Sequence, residues 1–119
     1  MEERNALISS VNIANEFGLT VWMSLIYGNG ISQEFGGYTL YSAKNWQKAE
    51  LDYGNYCGRF IKRCMEIGEV ENFSDLKGKS IRVRCDGSCI KEIGHIIKDD
   101  WFNPSKDFKD YKIRVANLF

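Results

Sequence analysis

Several residue types are scarce in this sequence, and each shortage narrows the class of protein. The 119 residues include one histidine and one proline, and the formal net charge at pH 7 is zero. Binding a long polyanion needs an excess of basic residues, so the balanced charge argues against a coat for DNA or RNA. A small anionic ligand needs only two or three local cations, and the composition is compatible with such a ligand.

Long hydrophobic runs are also missing, which bears on compartment. No apolar stretch approaches the roughly 18 residues that span a membrane, so we expect no membrane partner. Residues 1–4 contain no basic segment leading into an apolar one, so we expect no signal peptide and a cytosolic protein. The four cysteines are then expected to be reduced. The length predicts one domain over residues 1–119 with a modest core.

Apolar periodicity predicts an α+β domain in which one main amphipathic helix packs against an antiparallel sheet. The helix is predicted over residues 53–67, where apolar residues recur on one stripe and Gly68 follows as a stop. Glycine-containing turns at 28–30 and 86–88 predict hairpins. Strands are predicted over the ranges 7–13, 19–27, 31–41, 81–85, 89–98 and 111–115.

The predicted strand from Ile81 presents two arginines together. Side chains alternate along a strand, so Ile81 and Val83 point to one face and the guanidiniums of Arg82 and Arg84 to the other. Paired guanidiniums suit a phosphate or carboxylate partner, because the planar fork donates two parallel hydrogen bonds. An ordinary solvated strand face explains the same pattern, and the residues alone leave both interpretations open.

Other cations and aromatic residues would complete a site for a molecule with two anionic groups and a base. Arg59 borders the apolar stripe of the predicted helix, and Arg114 lies on the last predicted strand. Guanidiniums would meet the phosphates, and an aromatic face would stack on the base. The aromatic residues nearest to these elements in sequence are Phe35, Phe73, Trp101 and Phe102.

Three further features predict close packing or a partner subunit. Gly36 and Gly37 interrupt a strand, which indicates a bulge or a close backbone approach to another chain or a ligand. Trp22 lies on a strand face that is not simply polar, and residues 118–119 are apolar; both favour a partner subunit. Trp46 is predicted to dock on the core, with an interface or ligand contact as the alternative.

Zinc and hydrolase sites are both disfavoured. Cys85, Cys89 and His95 would need a fourth zinc ligand from Cys57 or Cys64, which lie on or beside the apolar stripe of the helix. The sequence has neither a Ser-His-Asp nor a Cys-His arrangement with supporting glycine motifs. We therefore expect no metal, no cofactor and no catalytic residue.

Five blocks of the sequence together resemble one known family. They are YGNG at 27–30, QEFGGY at 33–38, GRFIKR at 58–63, FSDLKGKSIRV at 73–83 and IGHIIKDDWFNP at 93–104. In order and spacing they resemble the first type of phage anti-Thoeris sponge protein. With the weaker strands between them, the blocks cover most of the chain.

The resemblance implies a non-enzymatic anti-defence protein in the cytoplasm of the infected bacterium. Such proteins bind the cyclic ADP-ribose isomer made by the Thoeris TIR-domain protein, glycocyclic ADP-ribose, and hold it uncleaved, so that the effector is not triggered. Also implied are homodimers with ligand pockets at the interface, further assembly to hexamers, and separate sites for the cyclic oligonucleotides of CBASS. A Kd near nanomolar, about −12 kcal/mol, is the useful scale for a sponge.

By position in the matching blocks, the resemblance also implies a set of ligand-binding residues. His95 is expected to hydrogen bond and not to act as a base. Two alternatives from other classes remain: an inhibitor that binds a host defence protein, and a small phosphodiesterase that degrades the signal. The implied ligand-binding residues are Arg59, Phe73, Arg82, Arg84, His95, Asn103, Lys112 and Arg114, with Gly36 and Gly37 as backbone contacts.

Overall fold

The chain folds as an α+β structure, which confirms the predicted fold class. The computed structural model describes residues 1–15, 18–38, 40 and 53–110. The strands are β1 (Glu2–Asn15), β2 (Leu19–Ile26), β3 (Ser32–Gly36), β4 (Ser80–Asp86), β5 (Cys89–Gly94) and β6 (Trp101–Phe102). The helices are α1 (Tyr53–Gly68) and α2 (104–110), with a 3-10 turn at Phe73–Leu76. All six strands form one antiparallel sheet in the order β3-β2-β1-β4-β5-β6.

Helix α1 covers one face of the sheet, and the core lies between them. The apolar stripe of α1 buries Phe60, Cys64 and Ile67 against the strands. Phe60 stacks on Phe35 of β3, with 5.8 Å between ring centroids, and meets Phe102 of β6 edge-on at 5.4 Å. Since β3 and β6 are the two edges of the sheet, one side chain can reach both only because the sheet curves around the helix.

Strand β4 has the predicted alternation. Ile81, Val83 and Cys85 are buried in the core, whereas Arg82 and Arg84 lie on the opposite face and are half-buried. The turn after β4 is the predicted hairpin, since β4 and β5 pair antiparallel. The two arginines are therefore on the sheet face that α1 does not cover.

The curvature brings β3 next to the β4–β5 turn. Gln33 Nε2 donates to the Ser88 carbonyl oxygen at 2.8 Å. The Tyr27 hydroxyl contacts the Gln33 side-chain oxygen and lies 3.5 Å from Cys85 Sγ. Burial is the main reason that the pKa of Tyr27 is raised. These contacts hold together two parts of the sheet that are not neighbours in strand order.

The glycine pair ends β3 in close contact with β2. Gly36 and Gly37 have φ values of +114° and +74°, a region that favours glycine. A Cβ at Gly36 would meet the Val21 carbonyl group, and one at Gly37 would meet the Trp22 ring. The glycine pair does make a close approach, but its partner is β2 of the same chain and not the other chain or ligand that we expected.

Strand β5 is shorter than predicted. It ends at Gly94 and not at residue 98, because His95 N donates to the Asp100 carbonyl oxygen at 2.9 Å and closes a turn. A strand continuing to residue 98 would place residues 93, 95 and 97 on one face, but the His95 side chain is buried, whereas Ile97 is 83% exposed. After the turn, Trp101 and Phe102 form β6.

Helix α2 is absent from the sequence prediction. It begins at Pro104, and Asn103 Oδ1 accepts a hydrogen bond from Lys106 N at 3.2 Å. An asparagine cap followed by proline at the first helical position is a recognised helix start. The predicted strand at 111–115 and the predicted docking of Trp46 lie outside the described residues. No helix of the described part is long and apolar enough to cross a membrane.

Candidate functional site

A charged cleft lies at the β6 edge of the sheet, between α1 and α2. We call it the edge cleft, and its volume is about 620 Å³. Helix α1 contributes basic residues from the side next to its buried stripe, because positions three and four apart share a helix face. The lining residues are Arg59, Lys62, Arg63, Glu66, Glu92, Asp100, Trp101, Phe102, Asn103, Lys106, Asp107 and Asp110.

Two of the arginines in the edge cleft are held by carboxylates. Arg59 binds Asp107 of α2 with two hydrogen bonds, Nε to Oδ2 at 2.5 Å and Nη2 to Oδ1 at 2.7 Å. This hydrogen bonding raises the pKa of Arg59, so the guanidinium stays charged. Arg63 donates to Asp100 Oδ1 at 2.7 Å and to the Trp101 carbonyl oxygen at 3.2 Å. These pairs tie α1 to α2 and to β6.

Two lysines in the same cleft have no such partner. Among the described residues, no carboxylate oxygen lies within 4.0 Å of the ammonium group of Lys62 or Lys106. Asn103 uses its side-chain oxygen to cap α2, and its side-chain amide nitrogen makes no hydrogen bond with the described residues. The edge cleft therefore offers two ammonium groups and an amide to an anionic molecule.

Trp101 connects the edge cleft to the arginines of β4. Its ring lies against Gly94, where an added Cβ would come within 2.5 Å of the ring. The guanidinium carbon of Arg84 lies 3.7 Å from the ring centroid, and that of Arg82 lies 4.8 Å away. The buried indole N–H of Trp101 has no hydrogen-bond partner among the described residues, which is unusual for a buried donor.

The arginines of β4 are bonded inside the protein. Arg82 donates from Nε to the His95 carbonyl oxygen at 2.7 Å and from Nη2 to the Lys98 carbonyl oxygen at 2.6 Å. Both arginines lie near Glu3, at 3.7 Å and 3.6 Å. Their stacking on Trp101 and these bonds place them behind the wall of the edge cleft.

The ten predicted ligand-binding residues are distributed over several places. Arg59 and Asn103 line the edge cleft. Arg82, Arg84 and the His95 carbonyl group form a second group, joined to the cleft through Trp101. Phe73 packs against the core, away from both groups. Gly36 and Gly37 line a groove of about 380 Å³ beside the β4–β5 turn. Lys112 and Arg114 lie outside the described residues.

Sequence reasoning gave no role to several residues of the edge cleft, among them Lys62, Lys106 and Asp107. Lys106 and Asp107 depend on α2, which was not predicted. Their signal was the Asn103-Pro104 helix start, since a helix from Pro104 places residues 106 and 107 one turn from Asn103.

Comparisons with known proteins do not assign this site. No model of a known protein family matches the chain, and no curated protein sequence is significantly similar to it. Among the described residues, no group of three or more His, Cys, Asp or Glu side chains is placed to hold a metal ion. The chemistry of the site therefore rests on its own geometry and on the resemblance of the sequence blocks.

Proposed function

We propose that this protein binds a cyclic ADP-ribose isomer, glycocyclic ADP-ribose, and sequesters it without cleavage. On this proposal it is a phage anti-defence protein that removes the Thoeris signal in the cytoplasm of the infected bacterium. The observation that carries the proposal is the edge cleft, where Lys62 and Lys106 have no ion pair among the described residues and Trp101 is part of the lining. Its volume of about 620 Å³ lies within the usual range for small-molecule sites.

The chemistry of the cleft suits a cyclic molecule with two phosphates and a base. Lys62 on α1 and Lys106 on α2 approach from opposite walls, so each ammonium group can meet one phosphate. The carboxylates of Asp107 and Asp100 are held by Arg59 and Arg63.

A second copy of the chain is part of the proposal. The resemblance implies a homodimer, further assembly to a hexamer, and separate sites for cyclic oligonucleotides. Leu7 and Ile26 are register neighbours on the sheet face opposite α1, and they are 43% and 36% exposed. Adjacent exposed aliphatic side chains on a sheet favour contact with another protein surface.

The decisive experiment separates sequestration from degradation. Purified protein is incubated with cyclic ADP-ribose isomers and filtered, and the retained protein is heated and its released ligand is analysed by chromatography. Depletion of one isomer followed by its intact release supports the proposal. Depletion with a linear product instead identifies an enzyme that degrades the signal.

A pair of lysine variants tests the edge cleft itself. Lys62→Ala and Lys106→Ala should each weaken binding about ten- to hundredfold, since a hydrogen bond to a charged group contributes roughly 1.5–3 kcal/mol. Lys109→Ala is the matched control, because it removes a lysine from α2, the helix of Lys106, at a position that does not line the cleft. Equal affinity in all three variants would place the ligand elsewhere.

The exposed pair Leu7 and Ile26 also favours a second candidate function. An inhibitor that binds a host defence protein would use such an apolar patch and would not need the edge cleft. No depletion of any isomer in the filtration experiment would favour this candidate. Binding to the host protein should then be lost in Leu7→Asp and kept in Lys62→Ala.

A further inference from the structure

Both ring nitrogens of His95 are bonded inside the protein. Nδ1 accepts hydrogen bonds from the backbone N–H groups of Ile97, at 3.0 Å, and Lys98, at 2.9 Å. A nitrogen that accepts carries no proton, so the proton of the neutral ring lies on Nε2, which donates to Glu69 Oε1 at 3.1 Å. The side chain is 9% exposed. Neither ring nitrogen is left for a ligand.

The turn that His95 closes is the support for Arg82. His95 N donates to the Asp100 carbonyl oxygen at 2.9 Å, which joins the two ends of the turn at 95–100. Two carbonyl oxygens of that turn, those of His95 and Lys98, accept from Arg82. The position of Arg82 therefore depends on the shape of the turn. That shape depends in turn on the two backbone hydrogen bonds that His95 Nδ1 accepts.

Arg82 and Trp101 carry the effect of the turn to the edge cleft. The guanidinium of Arg82 lies 4.8 Å from the centroid of the Trp101 ring, on the sheet face shared with Arg84. Trp101 is in turn a wall of the cleft. A change in the turn would withdraw one of the two guanidiniums that contact the Trp101 ring.

We propose that His95 is a positioning residue: by accepting two backbone N–H groups it fixes the turn at 95–100, and through Arg82 it fixes Trp101 at the cleft wall without touching the ligand. This role differs from the direct ligand contact that the resemblance implies. The role in the turn is independent of the proposed function, and only the effect on ligand affinity rests on it.

The first test is the tautomer of the wild-type ring. The ¹⁵N chemical shifts of the imidazole should identify an unprotonated Nδ1 and a protonated Nε2 in the free protein. A proton on Nδ1 would overturn the proposal, because that nitrogen could not then accept from Ile97 and Lys98.

The second test compares His95→Asn with His95→Gln. The asparagine amide oxygen occupies the place of Nδ1 and can accept both N–H groups, whereas glutamine reaches toward Glu69 and leaves them without an acceptor. Hydrogen exchange at the Ile97 and Lys98 amides should stay near the wild-type rate with asparagine. With glutamine it should be faster by about tenfold, which corresponds to about 1.4 kcal/mol. Equal rates in the two variants would overturn the proposal, and the comparison holds even where His95→Ala does not fold.

The third test uses ligand affinity to separate positioning from contact. If His95 acts through the turn, the asparagine variant should bind the cyclic ADP-ribose isomer as the wild type does, and the glutamine variant should bind more weakly. An asparagine variant with wild-type exchange rates but lost affinity would overturn the positioning role, because a direct contact would then be missing. A wild-type protein that binds no isomer refutes the proposed function, and the exchange rates alone then decide the role of His95.

Discussion

Two groups of basic side chains lie on either side of Trp101, and they differ in what binds them. On the β4 side, Arg82 donates to two carbonyl oxygens and Arg84 stacks on the indole ring at 3.7 Å. On the cleft side, Lys62 and Lys106 have no carboxylate within 4.0 Å among the described residues. The arginines of β4 are therefore bonded within the protein, whereas the two lysines of the edge cleft are available to a ligand.

The difference shows why a charge pattern alone does not identify a binding site. The alternation of Arg82 and Arg84 along β4 would be the same whether they faced a ligand or a loop of the same protein. What separates the two cases is the supply of acceptors from other elements. A basic side chain with internal acceptors contributes to stability, whereas one without them can contribute to affinity.

The largest expected effect follows from removing the internal arginine. Arg82→Ala removes two charge-assisted hydrogen bonds and leaves the carbonyl groups of His95 and Lys98 without that donor. We expect the free energy of unfolding to fall by about 3 kcal/mol, since each such bond contributes roughly 1.5–3 kcal/mol. Urea denaturation followed by circular dichroism measures the change.

Arg4→Ala is the control for this substitution. Arg4 pairs with Glu2 on the same strand, and both side chains are exposed; its guanidinium also lies 5.2 Å from the centroid of the Tyr27 ring. We expect a much smaller loss than for Arg82→Ala, because exposed ion pairs contribute little to stability. If the two variants were equally destabilised, the contrast between internal and surface arginines would not hold.

A smaller effect should follow from a methyl group placed under Trp101. In Gly94→Ala, the new Cβ would come within 2.5 to 2.7 Å of three ring atoms, so the ring must move away from the sheet. We expect a loss of roughly 1–3 kcal/mol in the free energy of unfolding, as for other overpacked sites. Thermal denaturation, with the near-ultraviolet signal of the indole as a second probe, measures both stability and the displacement of the ring.

Gly58→Ala is the matched control, with an opposite expected sign. Apart from its chain neighbours and the backbone of α1, no atom of the described residues lies within 4 Å of a Cβ at Gly58, so alanine should stabilise the helix by roughly 0.5–1 kcal/mol. Destabilisation of both variants to the same extent would indicate a general intolerance to alanine and would remove the support for the Trp101–Gly94 contact.

The sequence predicted those parts of the fold that depend on local periodicity. The stripe of α1 and the alternation of β4 are set by neighbouring residues, and both are confirmed. The end of β5 depends on hydrogen bonds of His95 to residues two, three and five positions further on, and periodicity contains no sign of them. The sequence at 93–97 therefore resembled a continuing strand.

The candidate site was predictable only in part, because only some of its residues have a local signal in the sequence. Arg59 and Asn103 were singled out and line the edge cleft. Asp107, which holds Arg59, became visible only with α2, although the Asn103-Pro104 start is a local signal that could have been used. Partner choice among charged side chains depends on tertiary distances, so the internal use of Arg82 could not be read from the chain.

The smallest expected effect concerns an exposed charge pair next to His95. Lys98 Nζ lies 2.5 Å from Glu69 Oε1. Hydrogen bonding to Lys98 is the main reason that the pKa of Glu69 is lowered from its ordinary value of 4.5, and the same bond raises the pKa of Lys98 above 10.5. The lowered pKa means that the contribution of Glu69 to stability is present above pH 4.5 and is lost as pH falls through the folded-state value.

The raised pKa of Lys98 sets the upper pH limit of the stability that the pair contributes. Its contribution is present below pH 10.5 and is lost as pH rises through the folded-state value. The difference in unfolding free energy between wild type and Glu69→Gln should therefore be largest between these limits and should narrow in acid and in base.

Glu71→Gln, which removes a neighbouring exposed carboxylate without an ion pair among the described residues, controls for the loss of charge. A difference for Glu69→Gln that stayed constant through acid and base would mean that the Lys98–Glu69 pair does not stabilise the turn beside His95. The link between the turn and the residue after α1 would then depend on the hydrogen bond from His95 to Glu69.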